Sequence, residues 1–350
     1  MNTHTHDFTS SLAAEIAAVW GDLQPTPLVL LDPLAERAGV GVVLAKLEGE
    51  RPLGSFKSLG GMLAGLRALA RCLDLPDVQA LLATAGAAAA QRLVCASDGN
   101  HGLSVAAAAR RVGASATIYL PASVDPVRAE RITAMGGQVV LVEGTYDDAV
   151  AQAEHAAARG EGLLISDTAS DPDSRVVRDV MDGYGLITEE LNAQMAGARP
   201  THVFVQAGVG GLAAALASGL LGDGRLIVVE PASAACVGLA LREGRPMPVE
   251  GGLETAAEML SCGLASAPAL RRLLDHGATG VAVDEAQLAL GVRMLRAAGG
   301  PAATASGAAG IAGLLKAADD PRLRAEHGLS GDSVVLVVVT EGALTTEAGR

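Results

Sequence analysis

Lys57 stands in the segment Gly54-Ser55-Phe56-Lys57-Ser58-Leu59-Gly60-Gly61, whose pattern starts a helix at about Ser55 and puts the lysine in its first turn. The positive end of the helix dipole repels an ammonium there and should lower the pKa of the amine. An amine so poised can attack a carbonyl and form a Schiff base. The same position also suits an ordinary surface lysine whose charged head points into water.

Two further groups of residues have chemical content. Ser97-Asp98-Gly99-Asn100-His101-Gly102 reads as a turn between a strand and a helix. Its glycines let the backbone approach a ligand, the helix start offers N–H groups to a carboxylate, and Asp98 adds an ionisable base. An Asx turn that only caps a helix would use the same residue types. Gln206-Ala207-Gly208-Val209-Gly210-Gly211-Leu212 lies between another strand and helix and can cradle a phosphate with backbone N–H groups. It also reads as GxGxxA through Gly208, Gly210 and Ala213, with Glu230 following 22 positions after Gly208. That is the dinucleotide fingerprint of an NAD-dependent oxidoreductase, which stays open as a rival reading.

The elements that must carry these groups alternate. Apolar strands are expected at 40–48, 93–97, 116–121, 138–143, 162–167, 201–206, 225–231 and 333–342, with helical stretches between most of them. Strands apolar along their whole length are buried on both faces, as in parallel sheets covered by helices. The repeated alternation therefore gives an α/β fold with right-handed crossovers. All three groups fall just past the carboxyl ends of strands, where α/β sheets bind ligands.

Half of the 350 residues are hydrophobic, yet only three Phe, three Tyr and one Trp are present, so the core must be Ala, Val and Leu in close contact. A net charge of −13 leaves no basic stripe for nucleic acid. Cys72, Cys95, Cys236 and Cys262 lie far apart, a spacing that fits neither a metal site nor a disulfide framework and suits a reducing compartment. The first twenty residues lack the pattern of a signal peptide, and no apolar run is long enough to span a membrane, so a cytoplasmic location is expected.

In the order PTPL (25–28), SFKSLGG (55–61), SDGNHG (97–102), AGVGG (207–211) and VVVTEG (337–342), the chain resembles the fold-type II pyridoxal-phosphate (PLP) enzymes. These include the serine and threonine dehydratases, the cysteine synthases and the tryptophan synthase β-chain. Within them it is most similar to the 2,3-diaminopropionate ammonia-lyase family. The Leu59-Gly60-Gly61 ending, the Asp98 turn where dehydratases usually place Ser, and TAAEMLSCG (255–263) carry that likeness, with YDDAV (146–150) and DTA (167–169) in support.

The resemblance implies that Lys57 forms a Schiff base with PLP beside Phe56, that Asp98 is the main general base, and that Asp167 is a second acidic residue of the site. It implies that Asn100 bonds the phenolic oxygen of the cofactor, that Ala207, Gly208, Val209, Gly210 and Gly211 hold its phosphate, and that Thr340 faces its pyridine nitrogen. Ser97, Asp98, Gly99 and His101 would meet a small amino-acid substrate. The implied reaction is α,β-elimination of 2,3-diaminopropionate to pyruvate and ammonia, with dehydratase, racemase or β-replacement activity as alternatives. An aspartate there favours a β-ammonium over a hydroxyl, since opposite charges ~4 Å apart attract by about 4 kcal/mol at an effective dielectric near 20.

The family also implies a homodimer of two-domain chains. Residues 51–164 would form a small mobile domain, and 1–50 with 165–350 a large phosphate-binding one. Leu103, Ser170 and Ala305 depart from the family pattern, and the chain is shorter than the family leads one to expect; these differences bear on the substrate rather than the cofactor. Cys262 is expected to be an inert buried thiol, and Met181–Tyr184 matches the family pattern, with a plain helix end as the alternative.

Overall fold

The computed structural model describes residues 11–21, 23–97, 99–220, 222 and 224–343. Asp98 and the residues ahead of Ser11 thus lie outside the described residues. The chain runs through α1 (Ser11–Trp20), β1 (Leu28–Leu30), α2 (Asp32–Ala38) and β2 (Val42–Leu47) to α3 (Lys57–Cys72) and α4 (Val78–Ala83). Then follow β3 (Arg92–Ala96), α5 (Asn100–Arg111), β4 (Ser115–Pro121), α6 (Pro126–Ala134), β5 (Gln138–Val142), α7 (Tyr146–Ala158) and β6 (Leu163–Leu164). The rest is α8 (Arg175–Gln194), β7 (His202–Gln206), α9 (Gly211–Ala217), β8 (Arg225–Pro231), α10 (Cys236–Glu243), α11 (Ala267–His276), β9 (Thr279–Val283), α12 (Glu285–Ala297), α13 (Ala305–Asp319), α14 (Pro321–His327) and β10 (Val334–Val339).

The strands form two sheets. The larger has the order β1-β2-β10-β7-β8-β9, the smaller β5-β4-β3-β6. Every pairing is parallel except β1 with β2, an antiparallel edge made from the proline-stiffened PTPL segment. The α/β class expected from the alternation is what the chain builds. β7 is buried at every residue, and β3, β4, β8 and β10 at all but their first, because helices cover both faces. The edge strand β5 keeps an outward Leu141, 60 % exposed. No described helix is long and apolar enough to cross a membrane.

Packing around α3 decides where Lys57 stands. This helix lies on α5 and α8. Gly60 and Gly183 meet where α3 crosses α8: a methyl at 60 would fall 2.6 Å from the Val180 carbonyl oxygen, and one at 183 would fall 2.7 Å from the Gly60 Cα. Met181–Tyr184 is therefore the middle of α8 rather than a helix end, and its glycine lets two backbones touch.

A buried charge network fixes the stretch between β2 and α3. Lys46 Nζ donates to Glu190 Oε2 (2.6 Å), the Thr26 carbonyl (2.8 Å) and Gln194 Oε1 (2.9 Å). Arg51 donates to both oxygens of Glu48 (2.8 and 3.0 Å) and also to Glu190. All four charged side chains are at most 1 % exposed. Buried charges persist only when paired this closely.

Candidate active site

The site is a cavity at the carboxyl ends of β3, β7 and β10, between the two sheets, and both sheets contribute to its wall. Lys57 is the first residue of α3, a little later than the sequence pattern suggests, and its side chain is 21 % exposed. The loop ahead of it is tied to the end of β10. Phe56 donates its N–H to the Thr340 carbonyl (3.2 Å), Gly342 donates to that of Gly54 (3.2 Å), and Ser55 bridges to Glu341.

Lys57 pairs with Asp167. The strand read from 162 to 167 keeps only Leu163–Leu164 in the sheet; after Ile165 donates to the Val94 carbonyl (2.8 Å) the chain leaves the sheet, and this delivers Asp167 to the cavity. Burial works against the Lys57 charge, but the Asp167 carboxylate outweighs it and lifts the ammonium above the ordinary lysine range. The helix-dipole expectation of a lowered pKa is thereby corrected: a direct ion pair exceeds a helix-end field of about 0.3–1 kcal/mol. Asp167 is 6 % exposed, and burial alone would raise its pKa. The Lys57 charge, with a hydrogen bond from Tyr146 Oη to Asp167 Oδ1 (2.7 Å), instead holds it well below the usual carboxylate range.

The sign of this pairing is testable. An unfolded aspartate titrates near ~3.9, so a lower folded value stabilises the fold above about pH 4 and is lost as pH falls below it. The Lys57 share, with a raised pKa, is lost only above about pH 10. Asp167→Asn is expected to flatten the acid limb of the urea-unfolding midpoint below about pH 4; an unchanged limb would refute the pairing.

In the Ser97–Gly102 turn, Ser97 Oγ accepts the N–H groups of Gly99 and Gly102, each at 2.8 Å. Ser97 holds the turn together while lining the cavity, and Gly99 spends its N–H inside the turn rather than on the cavity wall. His101 Nε2 lies 2.8 Å from the Ile165 carbonyl. A carbonyl only accepts, so Nε2 donates, and burial lowers the pKa of the ring. His101 also reaches the cavity, but its hydrogen bond steadies the chain two residues ahead of Asp167.

Opposite Lys57, Ala207–Gly211 leaves the end of β7, and Gly210 caps α9 at φ 98°, a left-handed conformation that glycine takes freely. Among the described residues no backbone carbonyl takes the N–H groups of Gly208, Val209 or Gly210. A methyl at Gly208 would fall 3.0 Å from Cys262 Sγ, so the loop is packed tightly against that thiol. Tyr184 stands beside Gly211 and meets Phe56 at a tilt of 58° with ring centroids 4.8 Å apart, and its buried hydroxyl has no partner among the described residues. Unclaimed backbone N–H groups along one glycine-rich loop are donors a phosphate needs. Thr340 Oγ1 accepts from Gln206 Nε2 (2.7 Å) and donates, at a long 3.5 Å, to the Ser306 carbonyl. Glu230, the acid of the dinucleotide reading, caps α10 by accepting the N–H groups of Val237 and Gly238, both at 2.7 Å, and burial pushes its pKa to about 8. Both of its oxygens are spent inside the protein rather than on a ribose, which removes the rival reading.

The structure thus brings Phe56, Lys57, Ser97, Asn100, His101, Asp167, Ala207–Gly211 and Thr340 to one cavity. Tyr146, Tyr184, Met259, Ser306 and Glu341 join them unforeseen by residue chemistry. Cys262 is buried as expected, though on the cavity wall. Tyr146 had one local signal: Thr145 and Asp148 form a capping box that starts α7 at that tyrosine.

A lysine in a carboxylate pair, facing a loop of unclaimed N–H groups across a cleft between α/β sheets, defines a cofactor-lysine enzyme. Residues 19–341 match the family of pyridoxal-phosphate dependent enzymes, and the chain belongs to it. A diaminopropionate ammonia-lyase of Escherichia coli K12 is 32 % identical over 91 % of this chain and 84 % of its own. The crystal structure of that species' enzyme in complex with an aminoacrylate-PLP azomethine reaction intermediate superposes with a TM-score of 0.84 at 30 % identity, covering 96 % of this chain and 90 % of that one. A chloroplastic biosynthetic threonine dehydratase of Arabidopsis thaliana is 30 % identical over 71 % of this chain but only 39 % of its own length.

Proposed function

We propose that this enzyme eliminates ammonia from 2,3-diaminopropionate and releases pyruvate and a second ammonia. The observation that carries the reading is the Lys57–Asp167–Tyr146 chain of contacts facing the unclaimed N–H groups of the 208–210 loop. Similarity to diaminopropionate ammonia-lyases over nine-tenths of the chain supports the substrate.

Lys57 would hold the cofactor, Gly208–Gly211 would bind its phosphate, and Thr340, turning its hydrogen away from the long contact to the Ser306 carbonyl, would face its ring nitrogen. The cofactor supplies an electron sink for negative charge at the α-carbon of the substrate. Asn100 would donate to its phenolic oxygen. Asp98, assigned by its motif alone, would take the α-proton, a role typically worth ~10²–10⁴ in rate. Asp167 would position the Lys57 amine and draw the β-ammonium of the substrate toward the cavity floor. The wall of the site comes from both sheets, so we assign residues 51–164 as a small domain that closes on the remainder and excludes water. The homodimer and the cytoplasmic location that the family resemblance implies belong to the same proposal.

Initial rates with diaminopropionate, serine and threonine test the substrate. The expected result is a kcat/KM for diaminopropionate at least about tenfold above either hydroxy amino acid, a gap of ~1.4 kcal/mol, with two ammonia per pyruvate. A preference for serine or threonine would replace this reading with a dehydratase.

A further inference from the structure

Glu341 is 3 % exposed, lines the cavity next to Thr340, and sits at the centre of contacts from both sheets. It accepts from Asn100 Nδ2 and from Thr304 Oγ1, the residue that caps α13. Arg128 on α6, itself 3 % exposed, reaches both of its oxygens (Nη2 to Oε1 3.3 Å, Nη1 to Oε2 3.4 Å). Arg128 Nε also lies 3.3 Å from Glu258 Oε2, and the arginine stem packs over Gly99, one residue before Asn100.

An asparagine side chain is nearly symmetric in shape and can present either an acceptor or a donor to a ligand. A carboxylate beside it breaks that symmetry, because only the Nδ2 end can donate to it. We propose that Glu341, braced by Arg128 and Thr304, is the positioning residue that fixes the Asn100 amide with its donor end toward the cavity. One Nδ2 hydrogen is held by Glu341, and the second is the one left for an oxygen of the bound cofactor. The proposal rests on the placement of Asn100 at the phenolic oxygen. No atom of Glu341 touches the reacting carbon in this scheme; it acts through Asn100.

Three variants, Asn100→Ala, Glu341→Ala and the double replacement, separate the two claims. Each is purified, its thermal midpoint is measured, and it is titrated with pyridoxal phosphate while the visible spectrum is recorded. A donor to the phenolic oxygen favours its deprotonated, long-wavelength form. Both single variants should therefore lower the ratio of the long-wavelength to the short-wavelength band at least about twofold and weaken cofactor binding about tenfold, the worth of one charge-assisted hydrogen bond. In the Asn100→Ala background Glu341→Ala should change neither quantity further, since two residues acting through one contact are not additive.

An unchanged spectrum in Asn100→Ala would overturn the assignment of Asn100, and the role of Glu341 with it. A changed spectrum in Asn100→Ala beside a normal one in Glu341→Ala would overturn only the role of Glu341, as would full additivity in the double variant. Should Glu341→Ala fail to fold, Glu341→Gln is used. Its amide can donate to Asn100 as well as accept, so a smaller shift in the same direction is expected, and no shift would refute the proposal.

Discussion

Lys57→Ala is expected to lower kcat by roughly 10³–10⁶-fold, the range found when a group that bonds covalently to the reacting partner is removed. Borohydride reduction of the loaded protein should label the peptide containing Lys57 in the parent and leave it unlabelled in the variant. The lysine also neutralises a buried carboxylate, so its removal confounds chemistry with stability. Lys57→Arg keeps a cation for Asp167 but has no amine that condenses with an aldehyde. Arginine should thus restore the unfolding midpoint toward that of the parent without restoring turnover. Full activity in either variant would strip Lys57 of its role as the cofactor-bearing amine.

The second large effect lies away from the chemistry. Glu190 is shared by Lys46 and Arg51, and all three side chains are at most 1 % exposed. Glu190→Ala leaves two buried cations with Glu48 as their one carboxylate in this network, a change that usually costs about 3–5 kcal/mol. Urea unfolding should show that loss as a lower midpoint with an unchanged slope. A loss under about 1 kcal/mol would mean that water enters the network and screens it. By contrast, Arg37–Asp319 joins side chains 41 % and 51 % exposed, and its removal should be hard to measure.

Much of the site is legible in the sequence because its signals are local. The Ser97–Gly102 turn, the Ala207–Gly211 loop and the Thr340 segment each follow an apolar strand, and each emerges past the carboxyl end of β3, β7 or β10. Apolar runs and glycine clusters report on neighbours in sequence, which is the range over which a strand end is decided. The helix field at Lys57 is local too, and it points in the wrong direction. The deciding charge, Asp167, stands 110 positions away along the chain.

Long-range partners explain the other misses. Gly183 looks like a helix stop beside Tyr184, whereas that glycine serves a crossing with Gly60. Nothing local to Glu341 announces Asn100, Arg128 or Thr304 as its partners: Thr304 comes from the start of α13 packed on the same sheet, and Asn100 and Arg128 join only when the two sheets are side by side. Glu230 misleads in the opposite sense: its spacing suits a ribose, but the turn after β8 folds back and claims both of its oxygens.

The chain passes between its two sheets twice, once from β2 through α3 and once from β6 to α8. Lys57 stands on the first passage and Asp167 on the second, and these two side chains hold each other. The two passages are therefore tied to each other at the amine itself, so the reactive group is also a mechanical fastening. An engineer wanting a looser or stiffer enzyme would do better to alter the two strands of chain at that crossing than the walls of the site.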